Sequence, residues 1–388
     1  MITPAAPAAH EPRRILVRGV NWLGDAVMTT PALQRLRERF PRAHITLLTH
    51  EKLAALWQHH PSLDAIITFP PGKGLWSVAR RLRAEAFDTA LILPNSPRSA
   101  LQVWLARIPQ RVGFSRPWRN WLLTQPVSPR PGQRRMHQRS VREVHRLIRL
   151  HAGGFQPATD QADSSAAHQM HDYLHLAAAL GANPEPLPPR LQVTAAEIRE
   201  AQEVLLSEPH NLARTSSAGQ FPMLLGLNPG AEYGPAKRWP VESFATLAKE
   251  VTRKAGNCLW LALGASADWE RCDQVARLAG VHVLNLAGKT SLRQLMALFT
   301  LCRVVLTNDS GPMHVAAALG TPVVVPFGST SPELTGPGMP GDPRHRLLRS
   351  AAPCSPCFRR TCPIDYRCLT GITPERVFEA VLQVLSLP

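Results

Sequence analysis

Short apolar runs of strand type alternate with helix-like segments twice along the chain, and this alternation restricts the fold more than any other feature. The first series places strands at residues 15–18, 45–48, 65–69 and 89–93, with helices at 25–40, 52–59 and 75–85. The second places strands at residues 224–227, 259–263, 282–286, 304–306 and 323–325. Alternating strands and helices form parallel sheets covered by helices on both faces. We therefore expect an α/β protein with two Rossmann-like doubly wound domains that face a central cleft.

A proline-rich stretch at residues 184–189, PEPLPP, lies between the two series and is typical of a hinge. The 388 residues are enough for two separate cores. We predict domains at residues 1–188 and 189–372 and a C-terminal helix at 373–388, and we leave open whether that helix packs back toward the first domain. No apolar span of about 18 residues lacks polar breaks, and the first 14 residues lack an apolar signal segment, so we expect a cytoplasmic protein.

The excess positive charge lies entirely in the first half of the chain. Residues 1–150 hold 24 Lys and Arg against 8 Asp and Glu, whereas residues 151–388 hold 20 of each kind. A basic domain beside a neutral one indicates an anionic partner: a nucleic acid, an acidic lipid or a phosphorylated glycan. We see no aromatic-interleaved RNA-binding pattern and no DNA-binding motif, which argues against nucleic acid.

Four of the seven cysteines form a late cluster with the spacing C-x2-C-x4-C-x5-C: Cys354, Cys357, Cys362 and Cys368. In a cytosolic chain such a cluster suggests zinc before it suggests disulfides. The spacing is tighter than the usual paired C-x2-C knuckles, which favours a packed cluster without metal. The sequence leaves the two interpretations open.

Common nucleotide-binding patterns are missing. There is no G-x-G-x-x-G, and Gly288-Lys289-Thr290 lacks the upstream glycine of a P-loop because position 283 is Val. No D-x-D pair is present to hold a divalent cation against a diphosphate. The candidate site therefore rests on three loops at the ends of predicted strands.

The first loop is residues 19–25, which ends on Gly24-Asp25 at a helix start. Asp25 either stabilises the helix dipole as an N-terminal carboxylate or acts as a general base. The second loop, residues 228–240, combines Gly and Pro with Lys237, Arg238 and Trp239. An ordinary surface loop with two cations is the simpler interpretation, but a rigid diphosphate clamp fits this composition better.

The third loop follows the strand at residues 304–306 and reads Asn308-Asp309-Ser310-Gly311 before a short helix. Free N–H groups and a partial positive charge at a helix start suit a phosphate group. Asp309 or Ser310 could instead simply cap the helix, and His314, just inside it, could be a structural histidine.

These loops carry a family resemblance. The strings NWLGDAVMTTPAL, NPGAEYGPAKRWP and TNDSGPMHVAAALGTPVVVPFGSTSPELT resemble the ADP-heptose:lipopolysaccharide heptosyltransferases, glycosyltransferase family 9, along nearly the whole chain. The second string is the most specific. The resemblance implies a GT-B fold, with acceptor binding by residues 1–188 and ADP-sugar binding by residues 189–372. Segments 155–170 and 207–222 look like insertions relative to the family pattern.

The resemblance also implies a reaction: inverting transfer of heptose from ADP-heptose to the inner core of lipopolysaccharide, with Asp25 as general base and no cofactor or metal. We expect Lys237 to neutralise charge on the leaving diphosphate and Asp309 to contact sugar hydroxyls. The residues expected around the donor are Gly230, Ala231, Lys237, Arg238, Asn285, Gly288, Asp309, Ser310, Gly311 and His314.

The basic first domain then suits a lipid A–Kdo–heptose acceptor at an anionic membrane surface, and we expect peripheral association with the inner face of the inner membrane. The arginines considered for this role are those of residues 130–149 together with Arg98, Arg107, Arg111, Arg116 and Arg119. Two alternatives remain: a family member with a different sugar nucleotide or acceptor, and a nucleic-acid-binding protein.

Overall fold

The computed structural model describes residues 11–70, 72, 74–134, 136–151, 166–206 and 221–387. The chain forms two compact units. The first comprises Met1–Gln133 and Ala166–Gln192, and the second comprises Arg134–Ser165 and Val193–Pro388. Each is built on one six-stranded sheet whose strand pairs are all parallel. The expected α/β class with two doubly wound halves is confirmed.

The first unit has the strand order β3-β2-β1-β4-β5-β6. Its strands are β1 Arg14–Arg18, β2 His44–His50, β3 Ala65–Phe69, β4 Thr89–Ile92, β5 Gln110–Phe114 and β6 Gln125–Val127. Its first helices are α1 Leu23–Met28, α2 Thr30–Arg39, α3 Leu75–Ala84 and α4 Pro97–Leu105, with 3-10 turns at Glu51–Trp57 and Asn120–Leu122. Apolar residues of the central strands and of α3 and α4 form one core, which includes Leu16, Leu82, Ile92 and Val103.

Two helices follow β6, and they belong to different units. Helix α5, Val141–Leu150, buries Val144 in the core of the second unit, with Ile148 packed against that core. Helix α6, Met170–Ala178, belongs to the first unit and packs along α2. Most of the arginine-rich stretch 130–150 therefore lies in the second unit, whereas the sequence-based boundaries placed it in the first.

The second unit has the strand order β12-β11-β10-β7-β8-β9. Its strands are β7 Met223–Asn228, β8 Cys258–Ala262, β9 Val283–Asn285, β10 Val304–Thr307, β11 Val323–Phe327 and β12 Arg346–Arg349. Its remaining helices are α7 Ala195–Leu206, α8 Val241–Ala255, α9 Trp269–Ala279, α10 Leu292–Leu301, α11 Gly311–Ala318, α12 Pro332–Thr335, α13 Arg367–Thr370 and α14 Pro374–Leu385. Strands β8, β10 and β11 are buried along their whole length, which explains their unbroken apolar sequences.

The C-terminal helix α14 packs in the core of the second unit. Val377, Ala380, Val381 and Val384 form its buried face, at helical spacing, and join the core that contains Trp239 and Phe244. The terminal helix predicted at residues 373–388 is present, and its apolar face is used within this unit.

One predicted helix is divided. The sequence predicts a single helix over residues 25–40, whereas α1 ends at Met28 and α2 begins at Thr30. Pro31 lacks an N–H and its ring would collide with the carbonyl of the residue four positions earlier, so a continuous helix cannot form there. The Thr30 hydroxyl donates to the Val27 carbonyl at 2.8 Å and satisfies the acceptor that Pro31 leaves free, and the Thr29 hydroxyl donates to the Ala26 carbonyl at 2.6 Å.

Within the described ranges, no helix is long and apolar enough to cross a membrane. Residues 155–165 and 207–220 of the two segments that look like insertions lie outside those ranges.

Candidate active site

A pocket of about 240 Å³ lies where the strand order of the first unit reverses, between β1 and β4. In open parallel sheets ligands bind at this switch point, beyond the carboxyl ends of the strands. The loops after β1, β4 and β5 and one face of α6 supply its lining: Val20, Asn21, Trp22, Asp25, Leu93, Pro94, Asn95, Phe114, Gln169, Asp172 and Tyr173.

Asp25 lies in the first turn of α1 and is partly exposed on this pocket. The loop from Gly19 carries it there, and the Gly19 N–H donates to the Leu48 carbonyl at 2.9 Å, which holds the loop against β2. The structure thus places the predicted carboxylate in a concave, partly solvated site, where a substrate hydroxyl can approach it.

Sequence reasoning missed the opposite wall of the pocket, which α6 provides. Tyr173 is buried, and its hydroxyl oxygen accepts a hydrogen bond from Gln169 Nε2 at 2.8 Å. Burial, with smaller contributions from Asp25 and Asp172, raises the pKa of Tyr173 well above its usual value, so the phenol stays neutral. Asp172 accepts hydrogen bonds from Arg130 Nε at 2.8 Å and Gln133 Nε2 at 2.6 Å.

Two buried guanidinium groups of the first unit, Arg18 and Arg119, form no ion pair with any acidic residue in the described ranges. Arg119 donates from Nη1 to the carbonyl of Pro94, a pocket residue, at 2.8 Å, and its Nε and Nη2 have no hydrogen-bond partner in the described structure. Burial and the neighbouring Arg116 lower the pKa of Arg119 to about 10. Burial and the charge of Arg98 lower the pKa of Arg18 to about 10 as well. Buried, unneutralised cations behind a pocket favour an anionic ligand.

Other arginines considered for the acceptor serve the fold. Arg111 donates to the carbonyls of Leu122 and Ile108 at 2.8 and 2.6 Å, and Arg130 pairs with Asp172. Arg139, in the second unit, lies 3.6 Å from Glu143. Protein partners hold these three side chains, whereas Arg142, Arg146 and Arg149 of the same stretch are exposed on α5.

In the second unit the strand order reverses between β10 and β7, and the two loops that follow these strands lie side by side. Asn308 connects them. Its Oδ1 accepts the Trp239 N–H at 2.9 Å, and its Nδ2 donates to the carbonyls of Pro229 and Gly230 at 2.9 and 3.3 Å. The fully buried side chain of Asn308 therefore holds both ends of the loop at residues 229–239.

Lys237 and Asp309 meet at the centre of these loops, with 2.7 Å between Nζ and Oδ2. The Asp309 side chain is 4% exposed and that of Lys237 13%. The Thr330 hydroxyl donates to the same Asp309 oxygen, and the Lys237 ammonium lies 4.9 Å from the centre of the Tyr233 ring. The sequence suggested that Asp309 contacts sugar hydroxyls, whereas its Oδ2 engages Lys237 and Thr330. Asn308, Tyr233 and Thr330 were missed as site residues although all three lie within the quoted strings.

Three further predicted residues shape the same loop. Arg238 donates from Nη2 and Nε to the Ala231 carbonyl at 3.1 and 3.3 Å, so its guanidinium closes the loop on itself. Gly230 faces Asp268, whose carboxylate oxygens would lie 2.4 and 2.5 Å from an added Cβ, so a larger residue does not fit without movement.

The start of α11 presents the other predicted donor residues. Ser310 occupies the N-cap position in extended conformation, and its buried hydroxyl oxygen has no hydrogen-bond partner among the described residues. Gly311 begins the helix, and His314 is 5% exposed inside it. An unsatisfied hydroxyl at a helix start, next to Lys237–Asp309, is a place where a ligand oxygen can bind.

Asn285 and Gly288 lie on the loop after β9. Asn285 donates from Nδ2 to the Trp269 carbonyl at 3.2 Å and accepts the Ala287 N–H at 3.1 Å. Gly288 has φ +72°, and an added Cβ would lie 2.7 Å from Ser266 Cα, so glycine is required there. No contact of the described structure joins this pair to Lys237, so a direct role at the donor site stays a prediction.

The segment that carries the cysteine cluster contacts the Lys237 loop and the loop that follows β11. No group of three or more His, Cys, Asp or Glu in the described ranges has an arrangement that could hold a metal ion. Burial raises the pKa of Cys354 and Cys357, and that of Cys368 to about 12, which favours neutral thiols. The N–H groups of Cys357 and Phe358 donate to the Ser329 carbonyl at 3.0 and 2.7 Å, and the Ala236 N–H donates to the Arg360 carbonyl at 3.0 Å.

Two parallel six-stranded halves, each with polar loops at its switch point, define the class of GT-B glycosyltransferases. The crystal structure of Escherichia coli ADP-heptose lipopolysaccharide heptosyltransferase II matches with a TM-score of 0.71 and 28% identity, over 96% of this chain and 98% of that one. A family 9 glycosyltransferase from Veillonella parvula matches with a TM-score of 0.75 and 25% identity, over 96% of this chain and 97% of that one.

Sequence comparison narrows the class. The profile of Glycosyltransferase family 9 (heptosyltransferase) matches residues 75–367. Lipopolysaccharide heptosyltransferase 2 of Salmonella typhimurium is 31% identical, over 96% of this chain and 99% of that protein. The chain belongs to glycosyltransferase family 9, and the suspected family is confirmed.

Proposed function

We propose that the protein transfers heptose from ADP-heptose to the heptose of a lipid A–Kdo–heptose acceptor, with inversion at the anomeric carbon. The proposed binding of the donor rests on one observation: the Lys237–Asp309 ion pair lies beside the unsatisfied Ser310 hydroxyl at the start of α11. The Salmonella typhimurium and Escherichia coli proteins are named as lipopolysaccharide heptosyltransferases, and 31% identity to the first over almost the full length supports the same substrate class.

The second unit binds the donor in this proposal. Departure of ADP leaves negative charge on the β-phosphate, and Lys237 with the N–H groups at the start of α11 stabilises that charge. Asp309 and Thr330 hold the ammonium in position, and the Tyr233 ring covers one side of it. Gly230, Ala231 and Arg238 shape the loop that encloses the nucleotide, with Asn285, Gly288, Gly311 and His314 as further donor-side residues.

The first unit binds the acceptor. Asp25 removes the proton from the acceptor hydroxyl as that oxygen attacks the anomeric carbon, and the bond to the ADP oxygen breaks. A carboxylate is a weak base, so positioning supplies much of the rate. The unneutralised charges of Arg18 and Arg119 behind the pocket attract an acceptor that carries phosphate or carboxylate groups.

The proposal needs neither a metal nor a cofactor, because Lys237 and backbone N–H groups take the charge of the leaving group. It places the protein in the cytoplasm, at the inner face of the inner membrane, where a lipid-linked acceptor is within reach. Nucleic acid is not a partner in this scheme.

Incubation with ADP-heptose and a heptose-truncated lipid acceptor, followed by mass spectrometry, tests the function. We expect the wild-type protein to add one heptose to the acceptor, and we expect no addition when ADP-heptose is left out. UDP-glucose and GDP-mannose in place of ADP-heptose serve as donor controls, and an acceptor without its terminal heptose serves as the acceptor control. Transfer from another sugar nucleotide, with none from ADP-heptose, would overturn the assignment.

A further inference from the structure

Three exposed tryptophans of the first unit lie on α4 and in the β5–β6 connection, outside the pocket. Trp104, at the end of α4, is 40% exposed, Trp118 is 86% exposed and Trp121 is 66% exposed. The rings of Trp104 and Trp121 meet edge to face with 5.8 Å between centroids, and Trp118 lies in the same β5–β6 connection as Trp121. We call these three residues the tryptophan patch. Large apolar groups left in water next to each other indicate a surface with a partner.

The chain around the tryptophan patch carries only positive charge. Residues 89–133 contain six arginines and no Lys, Asp or Glu, and of these arginines Arg98 and Arg107 are exposed and Arg116 is partly exposed. Arg107 is exposed, and its N–H donates to the Trp104 carbonyl at 2.9 Å. The Arg116 guanidinium stacks at 5.6 Å from the centre of the Phe114 ring, two residues before Trp118. An anionic surface that approaches the tryptophan patch meets cations and no carboxylate from this part of the chain.

We propose that the tryptophan patch docks into the headgroup layer of an anionic lipid bilayer. The indole ring is amphipathic and favours the membrane–water interface, where its N–H stays hydrogen-bonded while the ring leaves water. Arginines beside it pair with lipid phosphates. The inference deepens the proposed function and rests on it, since a lipid-linked acceptor requires the enzyme at the membrane.

The position of the tryptophan patch agrees with this role. Its loop begins directly after β5, and Phe114, the last residue of β5, lines the Asp25 pocket. Docking through Trp118 and Trp121 would therefore bring the acceptor pocket close to the bilayer surface.

Two other binding partners, a glycan and a second copy of the chain, fit the tryptophan patch less well than a bilayer does. A glycan would bind in the concave pocket, yet none of the three tryptophans lines it. A second copy of the chain would bring together two arginine-rich surfaces of equal sign, and the net charge of +16 opposes such pairing.

The double variant Trp118→Ser/Trp121→Ser tests the proposal, with Trp269→Ser as matched control. Trp269 is also exposed, at 45%, but lies on α9 of the second unit. Co-sedimentation compares vesicles of phosphatidylcholine alone with vesicles containing about one quarter phosphatidylglycerol, at low salt and at about 0.5 M NaCl. We expect the wild type and Trp269→Ser to bind the anionic vesicles, with a fraction retained at high salt. The double variant should bind roughly tenfold more weakly and lose the salt-resistant fraction.

Equal binding of the double variant and the wild type would overturn the proposal, as would an equal loss in Trp269→Ser. Quenching of tryptophan fluorescence by brominated lipids should fall in the double variant relative to the wild type. A wild-type dimer in sedimentation velocity that the double variant lacks would assign the surface to self-association and also overturn the proposal.

Activity separates this inference from the proposed function. On acceptor dispersed in detergent, the double variant should transfer heptose within about twofold of the wild-type rate, because the tryptophan patch does not line the pocket. Wild-type protein that binds anionic vesicles but transfers no heptose would refute the proposed function and leave the docking surface standing.

Discussion

Lys237 illustrates how a single cation can be prepared for a leaving diphosphate. Its ammonium contacts Asp309 Oδ2 at 2.7 Å and lies over the Tyr233 ring, so its direction is restricted on two sides. The Asp309 side chain is 4% exposed, and the same Oδ2 also accepts a hydrogen bond from the Thr330 hydroxyl. A preoriented donor costs little reorganisation when charge develops on the leaving group, which is why such groups contribute strongly to catalysis.

Replacing Lys237 by Met should lower kcat by roughly 10²–10³. Affinity for ADP should fall more than affinity for AMP, because the lost charge faces the β-phosphate. Calorimetric titration with both nucleotides and steady-state kinetics measure this, with Lys249→Met, an exposed lysine on α8, as control. The double variant Lys237→Met/Asp309→Asn leaves no unpaired buried carboxylate, and a return of ADP affinity in it would show that Lys237 serves only to neutralise Asp309.

Among individual residues, the sequence predicts Asp25, Lys237, Asp309 and Ser310 as site residues because each follows a strand in a polar loop, and their roles stay predictions. It did not identify Tyr173 and Gln169, which reach the pocket from a helix far along the chain. Their spacing on α6 looks like that of any half-buried helix, so only tertiary packing reveals them. The ion pair between Lys237 and Asp309 was also hidden, since the two residues belong to different loops.

The loop at residues 229–239 keeps its form because one amide side chain binds both of its ends. Asn308 follows β10, and register pairs the preceding Thr307 with Asn228 at the end of β7. The Asn308 side chain therefore satisfies the Trp239 N–H and the Pro229 and Gly230 carbonyls within a fully buried space. Buried backbone groups that lose such a partner cost free energy because water cannot replace it.

Asn308→Ala should lower the free energy of unfolding of the protein by about 2–4 kcal/mol, since three buried backbone groups lose the hydrogen bonds that this side chain provides. ADP affinity should fall as well, because the loop that carries Lys237 loosens. Urea denaturation and calorimetry measure the two effects. Asn308→Asp keeps the oxygen that accepts the Trp239 N–H but turns a carboxylate oxygen toward the Pro229 and Gly230 carbonyls in a buried space, so it should be at least as unstable as Asn308→Ala. Equal stability of all three proteins would contradict this account of the loop.

The sequence pattern predicted the buried central strands but not every strand of the two sheets. The central strands were predicted because buried strands have unbroken apolar sequences, as in β10 and β11. The strands β5, β6 and β12 were missed. Strand β6 is three residues long, includes Pro126 and has no buried residue, and β12 begins and ends with arginine. Such edge strands are defined by their pairing partner and not by their own composition.

Acid sensitivity should be a property of the whole molecule, because each unit contains a buried histidine whose pKa is lowered. Burial lowers the pKa of His60 in the first unit and of His345 in the second from about 6.5 to about 4. His345 accepts the Val323 N–H at Nδ1, and the charged groups that act on it are Asp342, Arg344 and Arg346. In the unfolded chain both histidines bind a proton below pH 6.5, whereas in the folded chain they do not until about pH 4. Folding stability should therefore fall as pH drops through this window.

We expect the free energy of unfolding to decrease between pH 6.5 and 4 by up to about 1.4 kcal/mol per pH unit for each histidine. Urea denaturation at several pH values measures the slope. His345→Gln keeps an acceptor near the Val323 N–H but cannot titrate, so its slope should be smaller than that of the wild type. An identical slope in the variant would exclude His345 as a source of the acid sensitivity.

Transfer without a metal is a second expectation for the molecule as a whole. Lys237 and the amide groups at the start of α11 take the role that a divalent cation has where carboxylate pairs are present. The rate of heptose transfer should be unchanged by excess EDTA and by added magnesium. An absolute requirement for magnesium would mean that the diphosphate charge is neutralised in another way.

The most direct test of the central claim is single-turnover transfer by Asp25→Asn. In the proposed mechanism Asp25 is the base for the acceptor hydroxyl and has no part in donor binding. Its replacement should slow heptose transfer by about 10²–10⁴ while the Kd for ADP-heptose stays within about twofold. Glu38→Asn, an exposed carboxylate on α2, is the control. Transfer at the wild-type rate by Asp25→Asn would contradict the mechanism.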